Sequence, residues 1–223
     1  MFVKALLFFL LWRVLGNPFL AILVLLVVFY FLERRYIGLT PSLVKPFKRR
    51  GAIGKARRQL LLNPHDVSAQ SELARLLIES KRFRDARDVL LDIEAKMEHS
   101  AEYWSDRGIA ELAIGHTEEG ERAMNRALEI SPRVKYGLPY LKLGEAYAKT
   151  DADKAIGFLQ EFQRMNASSC EAFYRLGTVY RTMGRTEEAR EAYRACRELY
   201  RTLPRYMRRK ERKWALLAAF AKA

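Results

Sequence analysis

The side chains in this sequence that could carry out chemistry are few and far apart. His65, His99 and His116 stand alone near turns, without the short His/Cys spacing a metal site needs. Cys170 and Cys196 are not a Cys-x-x-Cys pair and have no neighbouring histidine, which argues against a zinc knuckle or a disulfide framework. There is no glycine-rich phosphate loop and no nucleophile motif, and isolated Asp and Glu residues read as solvated helix faces. The expectation is a protein without a catalytic residue, metal or cofactor, which is not an enzyme.

Charge is the stronger signal. Forty Lys and Arg against 26 Asp and Glu give a net charge of +14, compatible with nucleic acid, an anionic membrane surface or an acidic partner. The positive residues cluster. One group, Arg34, Arg35, Lys45, Lys48, Arg49, Arg50, Lys55, Arg57 and Arg58, opposes only Glu33 and directly follows an apolar segment uncharged from Val14 to Leu32. Gly16, Asn17 and Pro18 open that segment as a turn and helix start, and Tyr30 and Tyr36 stand where an interfacial aromatic belt falls. A transmembrane helix over about 17–36 is expected. Bulky Val28 to Leu32 argue against a cleaved signal peptide. Residues 2–15, interrupted by Lys4 and Arg13, read as an interfacial helix, with a helical hairpin as the alternative. The basic residues after the segment place that side in the cytoplasm, with Arg34, Arg35, Lys48, Arg49 and Arg50 at the membrane surface and 37–50 as a basic linker. The second group, Arg205, Arg208, Arg209, Lys210, Arg212 and Lys213, opposes Glu211 and precedes Trp214 to Phe220. It reads as a basic amphipathic helix over 204–223 that caps the domain or touches lipid.

The elements that position these residues are helices. Helix-favouring residues dominate after position 50, and no alternating β-branched run is bounded by turns. Leu176-Gly177-x-x-Tyr180, preceded by Phe173 and followed by Gly184, Ala189 and Tyr193, has a second copy in Leu143-Gly144-x-x-Tyr147, with Tyr140, Ala155 and Leu159. A third is Trp104, Gly108, Gly115, Ala127 and Pro132, in which Arg107 and Glu111 replace the Leu and Tyr and Gly120 replaces the Ala. A fourth is Leu73-Ala74, Leu77, Ala86, Leu90 and Ile93, whose Ala74 stands one period of about 34 residues before Gly108. Before it, Ala52, Ala56, Leu60 and Asn63-Pro64 look like the second helix of a truncated repeat.

These columns resemble the tetratricopeptide repeat, and the apolar N-terminus resembles that of bacterial membrane-anchored members. The resemblance implies an all-α chain in which a transmembrane helix precedes a right-handed α-solenoid of about four and a half helix pairs and a C-terminal capping helix. The units would be a half repeat at 51–66, four repeats at 67–100, 101–134, 137–169 and 170–203, and the cap. The turn between Ala148 and Ala155 is one residue short, and two extra residues lie near Val134 to Gly137. Relatives that grip a C-terminal carboxylate use a Lys and Asn set missing from these columns, and those carrying a rubredoxin-like metal module need cysteine pairs absent here.

In such a stack the first helices line the concave side. The columns beside the packing face, at i, i+4 and i+7, are Ser71, Arg75 and Ile78; Ser105, Ile109 and Leu112; Leu141, Glu145 and Ala148; and Tyr174, Thr178 and Arg181. Apolar in its middle and arginine-bearing at its ends, this face would suit an apolar or amphipathic protein segment of acidic character. The alternative is that these residues are internal packing. The function expected is a membrane-tethered adaptor with its groove on the cytoplasmic face, contacting lipid through its anchor. The rival is nucleic-acid binding through the basic linker and tail. Few aromatics, Tyr36, Phe47 and Tyr206, interleave those charges, and nucleic acid is not expected as a partner.

Overall fold

Each repeat unit folds as two antiparallel helices, because each helix carries one apolar stripe and the sequence between them supplies a stop and a start. The computed structural model describes residues 2–36 and 44–221, which are helical throughout apart from turns, with no strand among them. Ahead of the repeats come α1 (Phe2–Leu15), α2 (Pro18–Tyr36) and α3 (Val44–Leu62). The first pair is α4 (Val67–Glu79) and α5 (Phe83–Asp92), followed by one turn, α6 (Glu94–Met97). The second is α7 (Ala101–Ile114) with α8 (Thr117–Ile130), the third α9 (Leu138–Tyr147) with α10 (Ala152–Met165), and the fourth α11 (Cys170–Thr182) with α12 (Thr186–Thr202). The last helix, α13 (Arg205–Phe220), packs on both α11 and α12, in the place a further unit's first helix would take.

Side-chain caps set the starts. Asp66 accepts from the Ala69 N–H at 3.0 Å, Ser100 from Tyr103 at 3.3 Å and Ser169 from Ala172 at 3.2 Å, each satisfying a first-turn donor that has no partner within its helix. Gly115 and Gly184 end α7 and α11 at φ +94° and +76°, a left-handed geometry in which a Cβ would be strained. Close packing explains the small columns. Ala74, Ala86, Ala155 and Ala189 are fully buried, and a Cβ on Gly177 would lie 2.6 Å from the Tyr193 ring. Apolar clusters then join successive units, one around Leu73, Leu77 and Ala86 and another around Leu141, Leu159, Leu176 and Val179.

The insertion before the third unit forms a left-handed kink: Lys135, Tyr136 and Gly137 have φ of +46°, +56° and +75°. Two non-glycine residues in this region are held from both sides. Lys135 Nζ pairs with the Asp106 carboxylate, and Asn166 Nδ2 donates to the Tyr136 carbonyl at 3.0 Å.

The N-terminus differs from expectation. α2 runs over the expected span, but Glu33, Arg34 and Arg35 occupy its last turn, so its uncharged part, Pro18 to Leu32, is about 22 Å long against about 30 Å of hydrocarbon. Among the described residues no helix is long and apolar enough to cross a membrane. The chain turns at Gly16, and α1 packs against α2. Residues 37–43 of the expected linker lie outside the described residues. The remainder of the linker is already helix, since α3 starts at Val44, its Pro46 falling in the first turn, where a missing N–H costs little.

Candidate binding groove

The first helices α4, α7, α9 and α11 neighbour one another in order along one face. On that face the twelve column residues separate by burial. Ser105, Leu141 and Ala148 are core, at 0, 1 and 7 % exposure. Ile78 packs into the clusters around Leu77 and Leu90. Leu112 turns onto α8, where a Cβ on Gly120 would lie 2.6 Å from its Cγ; the glycine that replaces the family's alanine makes room for it. Ile109 is half-buried, and Ser71 has a buried hydroxyl without a hydrogen-bond partner, as has Ser105.

Arg75, Glu145, Tyr174, Thr178 and Arg181 reach the surface of this face. Arg75 is engaged by Glu102 and by Asp106, the latter at 3.4 Å, and Glu145 by Lys142 at 2.5 Å. Thr178 donates to the Tyr174 carbonyl at 3.0 Å. Tyr174 lies between Tyr193 and Trp214, with ring centroids at 5.8 and 5.5 Å.

These last residues form the best-shaped part of the groove, an open hollow of about 500 Å³ between α9, α11 and α13. Ala148 and Val179 make its floor, and Tyr174 and Trp214 an aromatic wall. Arg175 lies 5.6 Å from the Trp214 ring and pairs with Glu171 at 2.6 Å; Lys213 lies 5.2 Å from the same ring on the tail helix. Lys149, at the rim, has no ion-pair partner among the described residues, so its charge is available to an incoming group. An apolar side chain would be desolvated on the floor while a carboxylate reached Lys149.

Sequence columns missed Lys149, Arg175 and Trp214 as groove residues. Arg175 is one position off the column, and Trp214 comes from α13, whose docking is a tertiary event. Its signal was the Glu211, Ala215 and Ala218 spacing: these three are buried on one face of α13, where Glu211 accepts from the Glu171 N–H at 3.3 Å.

The residues placed at the membrane surface fall near the start of α3 and the end of α2. Lys48 and Arg50 are exposed, whereas Arg49 binds Glu79 at 2.9 Å and is a structural contact between α3 and α4. Arg34 and Arg35 belong to the last turn of α2, and their side chains lie outside the described residues.

Among the described residues the reactive side chains stand apart from one another, except for the two cysteines. Cys170 and Cys196 are free and fully buried; burial and the Glu211 carboxylate push the Cys170 thiol up to about 11, and burial beside Cys170 pushes Cys196 to about 12, leaving neither nucleophilic. His116 is tied to Glu111 at 2.9 Å, and His65 and His99 are exposed. Among the described residues no three His, Cys, Asp or Glu side chains are grouped to hold a metal ion.

Comparison with known proteins agrees with this architecture. Residues 140–169 and 170–203 each match the tetratricopeptide repeat family. No curated protein matches the chain. Among solved structures, the fold is similar to TTC0263, a thermophilic tetratricopeptide protein of Thermus thermophilus, at TM-score 0.59 and 23% identity over 78% of this chain and 94% of that one. MamA superposes with TM-score 0.55 and 23% identity, over 70% and 85%. YrrB, described as a tetratricopeptide protein with an unusual peptide-binding site, gives 0.52 and 16%, over 80% and 87%. At these identities the likeness is one of fold: an all-helical tetratricopeptide-type solenoid.

Proposed function

We propose that this chain, whose residues 140–203 are two tetratricopeptide repeats, is a non-enzymatic scaffold that holds a partner protein at the cytoplasmic face of a membrane. The observation that carries the binding half is the hollow between α9, α11 and α13, with an apolar floor, two aromatic rings and the uncommitted cation Lys149. It suits a short segment that presents one apolar side chain and one acidic group. The peptide-binding description of YrrB belongs to the same class of activity on a similar fold. The tethering half rests on the apolar surface of α1 and α2, where Phe19, Leu23, Leu26 and Phe29 are all largely exposed to solvent. Tethering confines the groove to a thin layer, so a modest intrinsic affinity becomes effective binding.

The test is a photo-crosslinking residue at Thr178, in the hollow but outside the core, in cells expressing the full chain. One defined adduct in the membrane fraction is expected, lost on Lys149→Glu and retained on Lys96→Glu, a distant exposed control. An adduct indifferent to Lys149→Glu would remove the hollow from the reading.

A further inference from the structure

The N-terminal hairpin has an apolar surface without a protein cover, and its geometry selects one occupant. We infer that α1 and α2 enter the bilayer together as a re-entrant hairpin, with the Lys4 end of α1 and the Arg34–Arg35 end of α2 on the same face as the repeats, and the Gly16–Asn17 turn inside the hydrocarbon. The inference rests on the tethering reading above and replaces a single crossing with a different topology.

Three observations carry it. First, the exposed apolar residues cover α2 on every side but the one that Ala21 turns to α1: Phe19, Leu20, Leu23, Val28, Phe29 and Phe31 spread over about 260° of the helix at 100° per residue, not along one stripe. A protein groove or a second copy of the chain would cover one stripe; only a lipid solvent covers so wide an arc. Small Ala21, fully buried, is where such a hairpin can bring its helices close.

Second, the turn satisfies most of its own backbone donors. Within hydrocarbon every backbone donor must find an internal partner. Pro18 has no N–H; the Phe19 and Leu20 N–H groups donate to Asn17 Oδ1 at 2.9 and 3.4 Å, and Ala21 N–H to the Asn17 carbonyl at 3.1 Å. Of the donors that the start of α2 leaves open, Pro18 has none to offer and those of Phe19 and Leu20 are satisfied by Asn17, while Ala21 makes the first intrahelical bond. The Gly16 N–H donates to the Trp12 carbonyl at 2.9 Å.

Third, lengths and charges agree. Neither helix reaches across: about 22 Å of uncharged α2 leaves the tip about 8 Å short of the far headgroups. The charged residues sit at the open end of the hairpin, Lys4 on α1 and Glu33, Arg34 and Arg35 on α2, with basic α3 following. They match an anionic headgroup layer on one side. Arg13, one turn before the tip, is the charge this topology places deepest, where an arginine draws water and headgroups inward.

The test uses the full chain with one added cysteine, Val3→Cys, Val14→Cys or Leu61→Cys, and a membrane-impermeant maleimide applied to intact cells, to permeabilised cells and in detergent. The parent is the blank, because Cys170 and Cys196 are fully buried. The inference expects Cys at 3 and at 61, the latter replacing a largely exposed leucine of α3, to label from the same side. Cys at 14 should stay unlabelled from either side and label fully in detergent. Opposite-side labelling at 3 and 61, or labelling of 14 from the far side, overturns the hairpin and leaves the tether standing. Recovery of the chain in the soluble fraction overturns both.

Discussion

Glu111 shows how one unit departs from the tetratricopeptide pattern without losing the fold. The family places Leu and Tyr where this unit has Arg107 and Glu111, and the two make a buried ion pair in their stead: Glu111, 1% exposed, accepts from Arg107 at 2.8 Å, Arg87 at 3.1 Å and His116 at 2.9 Å, while Arg107 also binds Glu94 at 3.0 Å. Such a group is costly to break and cheap to replace as a whole. Glu111→Leu alone leaves two arginines without their acceptor and is expected to lower stability by about 3 kcal/mol in thermal unfolding. Arg107→Leu with Glu111→Tyr, which restores the family residues, should return to within about 1 kcal/mol of the parent. The acid response follows from the same contacts. Burial by itself raises the Glu111 pKa, but the bonds from Arg107, His116 and Arg87 outweigh it and hold the carboxyl below its ordinary 4.5. The unfolded chain therefore binds the proton first as pH falls. The stabilisation is complete above about pH 4.5 and disappears as pH drops through the lower folded value. Glu111→Gln should flatten that part of the pH–stability curve, and an unchanged curve would assign the acid sensitivity elsewhere.

At the scale of elements, α13 converts an end of the stack into a closed surface. Leu203 and Ala218 seal the cluster that contains Cys170 and Cys196, and Arg197 donates to the Ala218 carbonyl at 2.9 Å. Ala218→Arg cannot fit at a fully buried position and is expected to lift α13, so that both thiols react with a soluble disulfide reagent at least about tenfold faster than in the parent. Equal rates would mean that α12 alone protects them. The pairing of α7 with α8 and of α11 with α12 was legible in the sequence, because Gly and Ala at fixed positions record where backbones meet. What one helix's sequence leaves open is the rotation of its neighbour. Ser105 and Leu141 are buried where Tyr174 of the same column is half-buried, and Ala148 is buried where Arg181 of the same column is exposed, because α7 packs against α4 and α9 more extensively than α11 packs against α9. Likewise, the apolar run at 17–36 reads as a crossing, although Glu33, Arg34 and Arg35 in the last turn of α2 leave only about 22 Å of uncharged helix, and the extra residues at 134–137 mark an insertion without announcing its left-handed backbone.

Across the molecule, the units are held together by two kinds of seam, and the difference predicts how the stack comes apart. Apolar clusters weld α3 to α7 and, separately, α9 to α13. The seam between the second and third units is crossed by charges: Lys154 reaches Glu121 at 2.6 Å and lies 4.1 Å from the Tyr147 ring, Tyr147 also donates to Glu121, and Lys135 pairs with Asp106. Burial alone raises the Glu121 pKa, but the bonds from Lys154 and Tyr147 bring it below its usual range, so the carboxylate is ionised at neutral pH and the contact is intact. Pairs this exposed are worth about 1 kcal/mol each and weaken with salt, whereas nearly buried Asp106 matters more because it also holds the kinked backbone at Lys135. In a linear array, cooperativity between halves depends on the coupling at the seam rather than on the stability of either half. Glu121→Ala with Asp106→Ala removes that coupling and leaves both apolar blocks intact. Hydrogen exchange should then show amides of α4 to α7 and of α9 to α12 opening with different free energies, where the parent opens them together at low salt. If the double variant still exchanges as one block, the apolar contacts of α7 and α8 with α9 carry the coupling and the charged seam is incidental.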